Sequence, residues 1–119
     1  MNIEGKVWGL TSQLFHKNNV EIHRIEIKEG AYCSSHKHEH KFNMFFVESG
    51  ELLVKVWKND YNLIDQTTLK KCDSTTVSPG EFHQFLAIKD TVAYEIYWTE
   101  IQLNDIIRKD CGGNTNEQN

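Results

Sequence analysis

Apolar and polar residues alternate with a period of two along several short stretches, and helix-period patterns are scarce. This predicts strands at residues 20–22, 25–27, 44–47, 52–57, 75–77 and 91–98, with a further short strand at 83–86. Turn-forming pairs separate them at Glu29-Gly30, Ser49-Gly50, Asn59-Asp60, Pro79-Gly80 and Lys89-Asp90. Many short strands spaced by turns specify an all-β sandwich or barrel. The Ser49-Gly50-Glu51 turn and the Asn59-Asp60 pair each predict a hairpin. Leu103 to Arg108 predicts one short helical turn, which closes a single domain over residues 1–110. Residues 111–119 follow as a tail, and the polar composition after Cys111 predicts disorder there.

Composition narrows the function. The 119 residues carry a formal net charge of −4 and no basic block, which argues against binding nucleic acid by phosphate neutralisation. No apolar run reaches the roughly 18 residues of a spanning helix, so no membrane partner is expected. Three cysteines cannot all pair within one chain, and the N-terminus has neither the basic cluster nor the apolar stretch of a secretory signal. A cytoplasmic location is therefore expected.

Candidate chemistry concentrates in His36-Lys37-His38-Glu39-His40-Lys41. If this stretch is extended, His36, His38 and His40 share one face while Lys37, Glu39 and Lys41 share the other. His83, which re-enters a strand after the Pro79-Gly80 turn, brings a fourth imidazole from a remote strand. Neutral imidazoles grouped in this way suit Zn, Fe, Mn, Co, Ni or Cu. The same alternation also fits a solvated edge strand, and His83 also fits a satisfied core position. His16 and His23 have no such company and are read as structural. Trp57 and Trp98 lie in apolar strand runs, which assigns them to the core.

The spacing Gly30, five residues, His36-x-His38, four residues, Asn43, six residues, Gly50 resembles the first motif of the cupin superfamily. Pro79-Gly80-x-x-His83 resembles the second, whose first position falls at Cys72, about twenty residues after Gly50. Together they cover about two-thirds of the chain. The resemblance implies a double-stranded β-helix, or jelly-roll, barrel of roughly six to eight strands, with a divalent metal inside and two copies paired as a homodimer. The family usually places a glutamate ligand where this chain has Asn43. His36, His38 and His83 then become the implied ligands, with Asn43 or water completing the shell. His40 is a substitute ligand, although the odd step from His40 to Asn43 requires an irregularity in the strand.

Glu95 and the segment Asp105-Ile106-Ile107-Arg108 are similar to the end of the type II mannose-6-phosphate isomerase domain. That similarity implies a small-molecule substrate such as a sugar phosphate, with Glu95 as a base on the last strand and Arg108 near the substrate. Glu95 equally fits an outward strand charge, and Arg108 a solvated cation. Lys37 and Lys41 are expected to face away from the histidines, leaving no clear phosphate cluster. Two other classes compete with a Lewis-acid isomerase: a three-histidine non-haem iron dioxygenase, and a non-catalytic module binding metal or sugar. Tyr32, Tyr94 and Tyr97 are candidates near an iron site, but as barrel aromatics they are read as core. Cys33, separated from His36 by two serines, is placed to approach a metal but is read as an inert buried thiol.

Overall fold

The computed structural model describes residues 2–58, 63–99 and 105–116. Nine strands form there: β1 (Asn2–Lys6), β2 (Gly9–Lys17), β3 (Val20–Ile27), β4 (Phe42–Ser49), β5 (Leu52–Lys58), β6 (Leu63–Leu69), β7 (Ser74–Val77), β8 (Phe82–Ala87) and β9 (Thr91–Trp98). They build a six-stranded sheet in the order β1-β2-β3-β9-β4-β7 and a three-stranded sheet in the order β6-β5-β8. Every pairing is antiparallel. This is the all-β jelly-roll arrangement, with the strand order of each sheet far from chain order.

The core is written in the parity of the strands. Ile25 and Ile27 on β3, Phe45 and Val47 on β4, and Ala93 on β9 point inward from the large sheet. Leu52, Val54 and Val56 on β5 and Phe85 and Ala87 on β8 meet them from the small one. Burying a side chain such as Phe45 contributes about 2–3 kcal/mol. Trp8 closes one side of this core and meets Phe85 edge-on at 5.1 Å. Trp57 and Trp98 have the opposite parity and are only half-buried, so the core assignment fails for both. Trp98 instead stacks on Phe42 at 5.5 Å, on the outer face of the large sheet.

Three expectations change. The predicted runs at 20–22 and 25–27 are one strand, because β2 and β9 pair along its whole length. The hairpin at Ser49-Gly50 does not form: β4 lies in the large sheet and β5 in the small one. Alternation reports which side chains face inward, and two facing sheets both satisfy it. Gly50 makes that corner, with φ at +95°, its backbone passing close to Asp90 and Thr91. The third change concerns the helical turn. Leu103 and Asn104 lie outside the described residues, and residues 105–108 have no helix. Ile106 and Ile107 are exposed there, and a single turn with no buried face has nothing to offset its nucleation cost.

The Asn59-Asp60 hairpin has the expected partners, since β5 and β6 pair from Lys58↔Leu63 to Leu52↔Leu69; Asn59 and Asp60 themselves lie outside the described residues. Residues 111–116 are exposed, and 117–119 are outside the described set. β1 and β2 carry no apolar alternation to betray them. Their exposed residues are held by ladder bonds, β1 to β2 and β2 to β3, rather than by burial. No helix among the described residues is long and apolar enough to cross a membrane.

Candidate metal centre

His83 sits one residue into β8, with the inward parity of Phe85 and Ala87, and is 1 % exposed. The segment before β4 is held against it by backbone bonds. His36 and His83 form an isolated antiparallel bridge, and the Gly80 N–H donates to the His38 carbonyl at 2.7 Å. The Pro79-Gly80 turn, with Gly80 at φ +84°, thus aims one backbone N–H at the segment that carries the first two histidines.

His36, His38 and His83 come together so that one ring nitrogen from each lies within 4.8 Å of the others. Their rings are 4.5 to 5.4 Å apart. The Nδ1 atoms of His36 and His83 contact the carbonyl oxygens of Ser34 (2.9 Å) and Glu81 (3.1 Å). A carbonyl only accepts, so Nδ1 carries the proton in both rings and Nε2 keeps its lone pair. Burial, followed by the charge of Lys41 and the neighbouring imidazoles, pushes the His38 pKa down to about 4. Burial also lowers that of His83. His38 and His83 are therefore neutral near pH 7, as metal ligation requires.

Asn43 is buried beside them on β4, its Nδ2–H donating to His83 Nε2 at 3.3 Å. Its Oδ1 and the Nε2 of His38 are buried without a hydrogen-bond partner. Two buried polar atoms without partners, one on His38 and one on Asn43, within a group of three imidazoles fit a cation.

His40 does not join the group. Glu39 and His40 form a bend, and His40 is exposed. The bend shifts inward parity from even positions (His36, His38) to odd ones (Lys41, Asn43, Phe45). The irregularity the spacing demands therefore falls before Lys41. It places Lys41, expected to face away, in the wall of the cavity beside the histidines. Lys37 does face away, paired with Glu39 at 3.4 Å.

That cavity has a volume of about 610 Å³. Glu95 enters it from β9, 8 % exposed, with the inward parity of Ala93. The Tyr97 hydroxyl donates to Glu95 Oε2. Burial pushes the Glu95 carboxyl well above the usual carboxylate range, with the Tyr97 bond opposing it. Tyr97 reaches the histidines as well, its ring 5.2 Å from that of His38. Of the other tyrosines, Tyr32 is exposed and Tyr94 bonds Glu48 at the surface. Cys33 lines the cavity as an inert thiol, pushed up to about 11 by burial. Arg108 is exposed and is not among the cavity-lining residues.

The cavity also contains Glu21 and His23, bonded at 3.2 Å, which single-residue reading missed. The register held the signal: His23 pairs with Glu95 and Glu21 with Tyr97, so all four share the inward face. Ionisable residues at the inward parity of an otherwise apolar strand mark a site.

A small two-sheet β-barrel with a histidine centre between its sheets defines the class of protein. The cupin domain model matches residues 23–100, and the chain belongs to that family. No curated protein sequence matches it. Solved structures similar in fold include KdgF from Halomonas sp. (TM-score 0.72, 14 % identity, 85 % of this chain and 88 % of that one). The cupin domain of Schizosaccharomyces pombe Cnp3 gives 0.70 at 19 % identity, covering 84 % and 69 %. An RmlC-like cupin from Shewanella frigidimarina gives 0.67 at 21 % identity, covering 83 % and 84 %. At these identities the likeness is one of fold alone.

Proposed function

We propose that this cupin is a metal-dependent isomerase of small sugars or sugar phosphates. His36, His38 and His83 would hold a divalent metal such as Zn, Fe, Mn or Ni, with Asn43 or water completing the shell. The observation that carries the reading is the position of Glu95. It is a buried carboxylate in the same cavity as the three histidines, yet outside the ligand group itself. A bound metal would polarise the carbonyl and hydroxyl oxygens of the substrate as a Lewis acid. Glu95 then takes a proton from the carbon beside the carbonyl and returns it to the former carbonyl carbon, while the hydroxyl proton of the first carbon passes to the former carbonyl oxygen. Burial raises its pKa, which makes the ionised carboxylate a stronger base than a solvent-exposed glutamate. The Tyr97 hydroxyl, donating to Oε2, holds the carboxylate in one orientation. Arg108 has no part in this scheme.

The test is carbon-bound hydrogen exchange in ²H₂O, with aldoses, ketoses and their phosphates, on protein loaded with each metal in turn. Exchange that falls about 10²–10⁴-fold in Glu95→Gln supports the reading. Absence of exchange with every metal, or a Glu95→Gln protein as active as the parent, overturns it.

A second reading has its own support, because the ligand group among the described residues contains three histidines and no carboxylate. That donor set suits a non-haem Fe(II) dioxygenase. Iron-dependent oxygen uptake without isomerisation would select it. If neither activity appears and metal still binds, a non-catalytic metal- or sugar-binding module is the reading left. Pairing of two copies belongs to this proposal as an implication of the family, and sedimentation reads it directly. The three free cysteines suit a reducing compartment such as the cytoplasm.

A further inference from the structure

The walls of the cavity carry charges that can be assigned one by one. Glu4 is paired with Lys6 at 3.1 Å. Glu21 meets two imidazoles, His23 at 3.2 Å and His16 at 3.5 Å. Glu95 receives the Tyr97 hydroxyl. Lys41 differs from all of these. It is half-buried in the cavity wall, and among the described residues no carboxylate lies within 4.0 Å of its ammonium.

Its position is nonetheless defined. Nζ lies 4.6 Å from the centre of the Tyr97 ring, a cation–π contact, and that ring is 5.2 Å from the His38 ring. The ammonium is therefore within about 10 Å of the His38 ring, across the same cavity. Its charge is felt there, since it helps to lower the pKa values of both His38 and Glu21. A cation fixed on an aromatic face, without a carboxylate partner, is a ready contact for an anionic group.

We propose that the cavity takes a small anionic ligand, a carboxylate or phosphate monoester of a hydroxy or carbonyl compound, with its anionic group on Lys41 and its neutral oxygens toward the three histidines. A separation of at most about 10 Å between Lys41 and His38 lets one small ligand, of no more than about six carbons, reach both. The proposal rests on the metal reading only for the orientation of the neutral end. Lys41 supplies discrimination between charged and neutral ligands whatever reaction follows.

The experiment is a calorimetric titration of glucose, glucuronate and glucose 6-phosphate into the protein, metal-free and zinc-loaded. The parent, Lys41→Met and Lys41→Arg are compared. In the parent at least one anion should bind about tenfold more tightly than glucose, and added salt should shrink the difference. Lys41→Met, which keeps the length and apolar stem, should remove that preference, while Lys41→Arg should retain it. Equal affinity for the three ligands, no binding of either anion, or a preference that survives Lys41→Met overturns the proposal. Whichever anion binds identifies the carboxylate or phosphate source. A preference that stands without hydrogen exchange leaves Lys41 in its role and removes the isomerase. A preference seen without zinc separates the Lys41 contact from the metal centre.

Discussion

Each of His36 and His83 donates its backbone N–H to the other's carbonyl, at 3.1 and 2.8 Å, and their rings lie 4.5 Å apart. Forty-odd residues of chain separate them, so the candidate ligand group is tied to the fold by main-chain bonds rather than by side chains alone. Such a tie holds the imidazoles close without requiring a metal to gather them, which lowers the ordering cost of binding one.

This geometry separates the histidines by role. His38→Ala should abolish near-stoichiometric zinc binding, whereas His40→Ala should leave it unchanged, because His40 is exposed beyond the bend. Elemental analysis of the two variants, purified without chelator, checks the contrast. In the parent, zinc at about 100 times its dissociation constant should add about 2.7 kcal/mol of stability, and His38→Ala should show none of it. Equal metal loss in both variants would contradict the assignment.

The metal-free protein should lose stability in acid through the same group. Folding holds the His38 pKa near 4, against 6.5 for a free histidine side chain. Between those values the unfolded chain binds a proton that the folded chain refuses, so stability falls as pH drops from about 6.5 toward 4. The depression at His83 acts in the same direction. Urea unfolding at a series of pH values should show this slope, and His38→Gln should flatten it. A slope unaltered by the substitution would exclude His38 as its source.

Asn43 offers a carboxamide where the family usually supplies a carboxylate. Asn43→Asp should raise zinc affinity on the order of tenfold, because an anionic oxygen replaces a neutral one beside His83. The same substitution should destabilise the metal-free protein at pH 7, where the new carboxylate is buried without a cation. Competition with a chelator measures the first effect and thermal unfolding the second. Unchanged affinity would place Asn43 outside the ligand shell.

The corner between the sheets is testable at Gly50. A Cβ there would lie 2.3 Å from the Asp90 carbonyl oxygen and 2.8 Å from the Thr91 Cα, both backbone atoms, at a φ of +95°. Gly50→Ala should cost at least about 2 kcal/mol. Gly30→Ala, with φ +82° but open space around it, should cost only about 1 kcal/mol. Denaturant midpoints of the two variants give the comparison, and similar losses would mean that the close approach to Asp90 carries no cost.

The sequence alone determined the material of the fold and most of the candidate centre. Alternation marked Phe45, Val54, Phe85 and Ala93 as strand residues, since inward and outward positions differ by one step along an extended chain. The spacing of His36, His38, Asn43 and His83 carried the family, and the odd step to Asn43 already required an irregularity. Tertiary structure decided what local pattern does not encode. It placed β4 and β5 in different sheets, because alternation says inward without saying from which layer. It set the parity change at Glu39 and His40, which turned His40 outward and Lys41 inward. It brought Glu21, His23, Glu95 and Tyr97 together through the register of β3 on β9, a long-range pairing. Those residues lie some seventy positions apart in the chain, and only the packing of the sheet makes them neighbours.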